Sequence, residues 1–300
     1  MSSSGRAPRL AVGLIGLGNM GSAIAERLLA SGCDLTVHNR SLEKAEALRP
    51  QGATVAGTAA ELAAEADLVL TSLADDAALE SVAADVASAA RPGTVLVDLS
   101  TVSPGVSARV AALADEAALL YLRAPVSGNP SVVRAGDLTF IVSGPREALE
   151  RAESVLLAIG RAIHDVGEEE QARVVKLAVN LVIGGLAELM AEALVLSEAS
   201  GVSRAALLET LGDSAAGAPF VKYKTEPLLR HDYSATFTTR LMEKDLDLVL
   251  EEATGSGLVL PLAAEIKARI RSAIDAGYGD DDFMALYLHL RDDAKRAVAR

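Results

Sequence analysis

At 300 residues, half of them hydrophobic and only 3% aromatic, the chain is long enough for two domains with aliphatic, alanine-rich cores. A formal net charge of −13 argues against a nucleic-acid or anionic-membrane surface, so an anionic ligand would need a local positive site. The single cysteine, Cys33, excludes an intramolecular disulfide and a cysteine-rich metal cluster, and it points to a reducing, cytoplasmic home. Met1–Arg9 carries two arginines, and no apolar core of signal-peptide length follows.

The first predicted strand is Leu10–Ile15. Gly-Leu-Gly-Asn-Met-Gly (Gly16 to Gly21) follows at once, then a helix over Met20–Ala30 closed by Gly32. This order is what a dinucleotide fingerprint requires. Gly16 permits the tight turn, Gly18 lets the backbone approach a pyrophosphate, and Gly21 allows close helix–strand packing. Backbone N–H groups along Leu17, Gly18, Asn19 and Met20 would then hold the phosphates. The second strand, Leu35–His38, ends in Asn39, Arg40 and Ser41, without the acid that usually holds the ribose 2′-hydroxyl of NAD. Arg40 can pair with a 2′-phosphate, and Asn39 and Ser41 can donate hydrogen bonds to it. The sequence therefore favours NADP, with NAD as a weaker cofactor; a plain surface arginine is the alternative.

Strands at Asp67–Leu73, Thr94–Leu99, Ala118–Leu122, Leu138–Val142 and Ala162–Val166 alternate with helices at Asp75–Ala90, from Ser103-Pro104 onward, and at Pro145–Ile159. Repeated βαβ units predict an α/β fold with a doubly wound, mostly parallel Rossmann sheet. Ligands of such sheets bind beyond the carboxyl ends of the strands. Ser72-Leu73, Ser100-Thr101 and Ala124–Asn129 lie at such ends.

Gln171–Ala199 reads as one long helix, apolar almost all round and therefore expected to be buried. Arg173, Lys176, Asn180, Gly184 and Glu188 fall near one line at helical spacing. A lysine and an asparagine there either meet other protein groups or line a wet cavity for a ligand. Lys176, Glu188, Glu192 and Glu198 argue against a membrane span. After Val166 no clear strand appears. Helices are expected at Ser203–Leu211, Leu241–Thr254, Pro261–Ala276 and Asp281–Ala299, with a small-residue loop over Gly212–Phe220. Phe220, Tyr223, Phe237 and Phe283 are either pocket walls or core. The four histidines lack metal-ligand spacing, so no metal is implied. The expected division is a cofactor-binding domain over 1–167 and an all-α domain over 168–300, joined by the long helix. Such apolar helices favour a homodimer.

Four motifs in order resemble the β-hydroxyacid dehydrogenase family, which includes 3-hydroxyisobutyrate and 6-phosphogluconate dehydrogenases and glyoxylate/succinic semialdehyde reductases. They are GLIGLGNMG (Gly13–Gly21), APVSGN (Ala124–Asn129), KLAVN (Lys176–Asn180) and EKDLDL (Glu243–Leu248). The resemblance implies a hydride exchange between NADP(H) and a small 3-hydroxy acid, or its semialdehyde or ketoacid. It casts Lys176 as proton donor or acceptor at the reacting oxygen and Asn180 as its orienting partner. Ser127, Gly128 and Asn129 would form the substrate-carboxylate loop. Lys244 would approach nicotinamide and substrate, and Leu73 and Thr101 would contact the cofactor. A partly desolvated lysine suits proton transfer in both directions. The chain departs from the family pattern at Arg123, usually Asp, at Asn129, usually Gly, and at Glu170 and Ala172, which replace two glycines before the lysine. Arg123 could anchor an anionic substrate or be a solvated strand end. One rival is an imine reductase or reductive aminase, which generally lacks the lysine. The other is a non-catalytic NADP-binding interaction module, expected to lose Lys176 or Asn180; both residues are present.

Overall fold

The computed structural model describes residues 10–298; the segment Met1–Arg9 and the expected helix end Ala299 lie outside them. The chain divides into two compact units between Lys176 and Leu177, inside a single helix.

In the first unit, β1 (Ala11–Ile15), β2 (Asp34–His38), β3 (Thr54–Val55), β4 (Leu68–Thr71), β5 (Val95–Asp98) and β6 (Leu120–Arg123) form one parallel sheet. Its order, β3-β2-β1-β4-β5-β6, reverses direction between β1 and β4, which is where doubly wound sheets open a ligand crevice. Successive residues on these strands serve opposite faces. Leu14, Leu70 and Val97 pack with Ile24 and Leu28 of α1 (Asn19–Ala30), and also with Leu156 on a later helix. Their neighbours Ile15, Val69 and Leu96 pack against the opposite helical layer. Burial on both faces is why the strands read as unbroken apolar runs.

Short elements escaped the sequence reading: α2 (Leu42–Glu46), β3 and α3 (Ala59–Glu65). Thr58 and Glu61 form a reciprocal capping box at the start of α3. Asp75 caps α4 (Asp76–Ala89), and Ser103 caps α5 (Pro104–Glu116). The region after β6 also differs from expectation. Leu138–Val142 and the 160–166 region do not extend the large sheet. They form a second, three-stranded sheet with β7 (Val126–Ser127), in which β8 (Leu138–Val142) pairs antiparallel with β7 and parallel with β9 (Gly160–Asp165). The loop expected at Ala124–Asn129 contains β7, and α6 (Pro130–Ala135) begins directly after it. Then α7 (Arg146–Ile159) returns to the core.

The long helix α8 (Gln171–Ala199) begins in the first unit. In the second unit it is followed by α9 (Arg204–Asp213), α10 (Pro219–Leu229), α11 (Thr239–Gly255), α12 (Pro261–Ala273) and α13 (Leu286–Val298). The helix α10 was not expected, because Pro219 and Pro227 obscure its pattern; the first sits harmlessly in the opening turn. The helix expected to reach Ala276 yields after Ala273 to a wide turn over Ile274–Tyr278, in which Gly277 takes a φ of 102°. Phe283 contacts Phe220 at a tilt and Phe237 edge to face, which places the three in or against the core rather than on a pocket wall; Tyr223 touches Phe220 from the half-exposed rim. A buried ion pair joins Lys224 to both oxygens of Asp282 at 2.7 Å, with the Thr236 hydroxyl donating to the same carboxylate.

The helix α8 is not buried all round. Ala187, Met190, Ala191 and Leu194 face the core, whereas Val182, Leu189 and Leu196 are 61%, 64% and 69% exposed. By length and composition it could cross a membrane, yet a third of its most apolar window is already buried inside the fold. Low polarity here reflects two apolar faces of different kinds.

The first turns of α8 are tied down by a fully buried arginine. Arg173 donates to Asp98 Oδ2 at 2.6 Å, to the Tyr121 hydroxyl at 2.8 Å, to the Ser100 carbonyl at 2.8 Å and to Ser107 Oγ at 3.1 Å. Asp98 also accepts from Thr71 and Ser100. Burial opposes the Arg173 charge, but Tyr121 and Asp98, with Glu170 further off, hold its pKa above the ordinary arginine value. Substituting Arg173→Met strands Asp98 without a cation and is expected to cost about 3–5 kcal/mol in denaturant unfolding. Adding Asp98→Asn to that variant should recover part of the loss; a single variant as stable as wild type would contradict the assignment.

Candidate functional site

The glycine loop follows β1 at the point where the sheet order reverses. Gly16 has a φ of 97°, and a Cβ there would stand 2.3 Å from the Ser72 carbonyl oxygen. A Cβ on Gly21 would stand 1.9 Å from the Gly16 oxygen. These two glycines are demanded by the protein's own backbone. Gly18 differs: a Cβ there meets nothing within 4 Å, so no protein atom explains the glycine. Gly18 is exposed and opens α1 without any side-chain cap. The orphan N–H groups of the first turn suit a pyrophosphate that approaches through that open space. The residues present thus fit a dinucleotide.

Neighbouring strand ends converge on this loop. Asn39, just beyond β2, accepts a hydrogen bond from Leu17 N–H at 2.9 Å and donates to the Ser41 carbonyl at 3.0 Å. It therefore acts as a strut between the glycine loop and the turn after β2, and its amide is engaged at both ends. Arg40 and Ser41 are exposed beside it, as is Lys44 one turn into α2. Leu73 N–H, beyond β4, donates to Ser100 Oγ, beyond β5, at 2.9 Å. Thr101 follows, half-buried. The sheet thus brings Gly16–Met20, Asn39–Ser41, Leu73 and Thr101 to one end of β1, β2, β4 and β5.

Ser127 ends β7 half-buried, and Gly128 is exposed. Asn129 caps α6; its Oδ1 accepts from Ser131 N–H, Ser131 Oγ and Val132 N–H, so only its amide nitrogen remains for a ligand. Arg123 is not a solvated strand end. It is buried against the Tyr121 ring, 4.9 Å from the centroid, and its Nε and Nη2 both donate to Glu170 Oε1. Lys176 is half-buried at the boundary between the units.

In the second unit the residues meet around one carboxylate. Asn180, one turn beyond Lys176 on α8, is buried and donates from Nδ2 to Asp245 Oδ2 at 2.5 Å. Lys244 Nζ lies 2.9 Å from Asp245 Oδ1. Asp245, 1% exposed, thus holds both an amide and an ammonium. Sequence reasoning passed over Asp245, Asp98 and the role of Arg173. The available signal was chemical: a buried carboxylate or guanidinium amid apolar neighbours requires a partner of opposite charge.

Comparison with known proteins agrees with this architecture. Residues 11–167 match the NAD-binding domain of 6-phosphogluconate dehydrogenase, and residues 171–290 match the NAD-binding domain of NADP-dependent 3-hydroxyisobutyrate dehydrogenase. An uncharacterized oxidoreductase of Bacillus subtilis, YfjR, is 34% identical over 92% of this chain and 98% of its own. The 2-(hydroxymethyl)glutarate dehydrogenase of Eubacterium barkeri is 32% identical over 92% and 93%. The structure of Mycobacterium tuberculosis 3-hydroxyisobutyrate dehydrogenase with L-serine superposes with a TM-score of 0.85 at 30% identity, covering 95% of this chain and all of that one. A parallel sheet with a dinucleotide loop, followed by a helical unit, is the architecture shared with these NAD(P)-dependent oxidoreductases. The chain belongs to the β-hydroxyacid dehydrogenase family.

The glycines give a separable test. Gly18→Ala should leave the melting temperature in place and weaken NADPH binding in a fluorescence titration, whereas Gly21→Ala should cost about 1–3 kcal/mol through overpacking. Equal loss of stability in both variants would refute the ligand-facing role of Gly18.

Proposed function

We propose that the protein is an NADP-preferring dehydrogenase that interconverts a small 3-hydroxy acid and its semialdehyde or ketoacid, with Lys176 as general acid and base. The observation that carries this reading is the placement of Lys176 and Asn180 one turn apart on α8, with Asn180 fixed by the buried Asp245. When bound, the nicotinamide supplies or accepts the hydride. Lys176 takes the hydroxyl proton in oxidation and returns it to the carbonyl oxygen in reduction. Asn180 orients the reacting oxygen and the lysine. Ser127 and the Gly128 backbone hold the substrate carboxylate, the Asn129 amide adds a donor, and Lys244 contributes positive charge. On the cofactor side, Gly16–Met20 receive the pyrophosphate, Leu73 and Thr101 flank the nicotinamide ribose, and Arg40 with Ser41 holds the 2′-phosphate. In this reading residues 1–167 bind cofactor, and residues 168–300 supply the helical substrate and dimer-forming part.

The absence of an acid after β2 and the exposed Arg40 support NADP over NAD. The substrate class draws on relatives that act on hydroxy acids bearing a carboxylate. The homodimer draws on α8, where Val175, Val182, Leu189 and Leu196 recur every seventh residue and are all exposed. Such a seam suits a second helix of the same kind.

A panel of short semialdehydes, ketoacids and cyclic imines, assayed with NADPH and NADH, tests the reaction directly. One carboxylate-bearing carbonyl should be reduced faster with NADPH, and Lys176→Ala should lower kcat by about 10²–10⁴-fold. Imine reduction untouched by that substitution would refute the reading, as would tight NADPH binding without any turnover. For the assembly, Leu189→Lys should convert a sedimenting dimer into a monomer; a wild-type monomer would remove the seam from consideration.

A further inference from the structure

Two departures from the family pattern, Arg123 and Glu170, contact each other. Where the family usually has an acid at the end of β6 and a glycine before the catalytic helix, this chain has a base and an acid. The guanidinium Nε donates to Glu170 Oε1 at 2.8 Å and Nη2 donates to the same oxygen, while the ring of Tyr121 covers its face. The two side chains are 7% and 21% exposed, a setting in which either charge alone would be costly.

The pair is one of several anchors on the short segment that leads into α8. Gly144 N–H donates to the Gly167 carbonyl at 3.0 Å. The Ser143 hydroxyl donates to the Glu169 carbonyl at 2.5 Å and accepts from Ala172 N–H at 3.1 Å. Arg173 follows with its four hydrogen bonds. A glycine-rich approach would leave this backbone free to adjust; here side chains hold it at successive positions.

We infer that Arg123 and Glu170 form a positioning pair that fixes the first turn of α8 and thereby presents Lys176 to the reacting oxygen. The inference rests on the reading of Lys176 as the acid–base group. Glu170 precedes Lys176 by six residues, about 9 Å along a helix axis, so the pair acts through the backbone rather than by touching the reacting atoms. Arg123, already engaged by Glu170 and Tyr121, is not a carboxylate anchor. The exchange of an acid for a base on β6 and of a glycine for an acid before α8 is one coupled change, since neither new charge is tolerable in that setting without the other.

The test compares Arg123→Gln, Glu170→Gln, the charge-reversed pair Arg123→Glu/Glu170→Arg, and Arg123→Lys, which retains charge should the reversed pair fold poorly. Steady-state kinetics on the carbonyl turned over by the wild type are read beside NADPH affinity and hydrogen exchange of the peptide spanning 166–176. Each neutralising variant should lower kcat by about 10- to 100-fold, the scale expected when a reacting group is misplaced. NADPH affinity and substrate KM should stay within about twofold, and exchange over the peptide should accelerate. The reversed pair, or Arg123→Lys, should regain most of kcat and slow the exchange. Wild-type kcat in both neutralising variants overturns the pair while leaving the general reaction intact. So does a rise in substrate KM at unchanged kcat, which would make Arg123 a substrate contact. A wild-type protein without turnover of any carbonyl overturns the reading of Lys176 itself, and with it the positioning role.

Discussion

The buried guanidinium of Arg173 sets the frame for everything chemical in the first unit. It reaches Asp98 at the end of β5, Tyr121 on β6, the Ser100 carbonyl in the next loop and Ser107 on α5. Asp98 extends the network to Thr71 at the end of β4. Burying such an ion is unfavourable unless every lone pair and donor finds a partner. Here the network ties the ends of β4 and β5 to β6, α5 and the loop after β5, so satisfying the charge also fixes the geometry of the sheet's ligand-binding edge. Ser100, held by Asp98, in turn accepts from Leu73 N–H. The loops proposed to flank the nicotinamide ribose and the helix that carries Lys176 therefore share one electrostatic origin.

The second unit repeats the device on a smaller scale. Asp245 is almost fully buried, and its two oxygens face Asn180 and Lys244 separately. Asp245 thereby contacts both residues proposed to handle substrate, although its own carboxylate has no assigned chemistry. Lys224 with Asp282 and Thr236 plays a purely architectural part by contrast, since its ammonium is enclosed among aromatic rings and carboxylate oxygens. The difference lies in which neighbours the ion orders.

Much of this was legible in the residues because two periodicities are strong. Apolar runs between glycine turns mark β1, β4 and β5, and the Gly16–Gly21 spacing predicts the crevice in which they end. Elements of two to seven residues, such as β3, β7, α2 and α3, carry too few periods to stand out, and α10 hides behind two prolines. The long helix was misjudged for a different reason. Composition reports that a face is apolar but not whether this chain or another surface covers it, so Val182 and Leu189 look the same as Ala187 and Met190. Arg123 was misjudged because its partner lies 47 residues away, at a position where the departure from a glycine looked like a separate event. Pairs of unusual residues are informative together and ambiguous singly.

The strongly acidic whole must still admit an anionic dinucleotide and, in the proposed reading, an anionic substrate. At physiological ionic strength a surface charge is felt over about 8 Å, so the net −13 does not decide local binding. What decides it is the chemistry within one screening length of each anion. At the pyrophosphate position that chemistry is backbone: an uncapped helix start at Gly18 and a loop braced by Asn39. Beyond β2 it is side chain, with Arg40 and Lys44 exposed on the same turn. The two mechanisms differ in what they tolerate. Backbone dipoles are fixed once the loop folds, so they bind either dinucleotide alike. In the proposed NADP reading, preference for the 2′-phosphate would reside in the exposed cations Arg40 and Lys44, which can be changed without disturbing the fold, so cofactor choice would be separable from catalytic geometry for that physical reason.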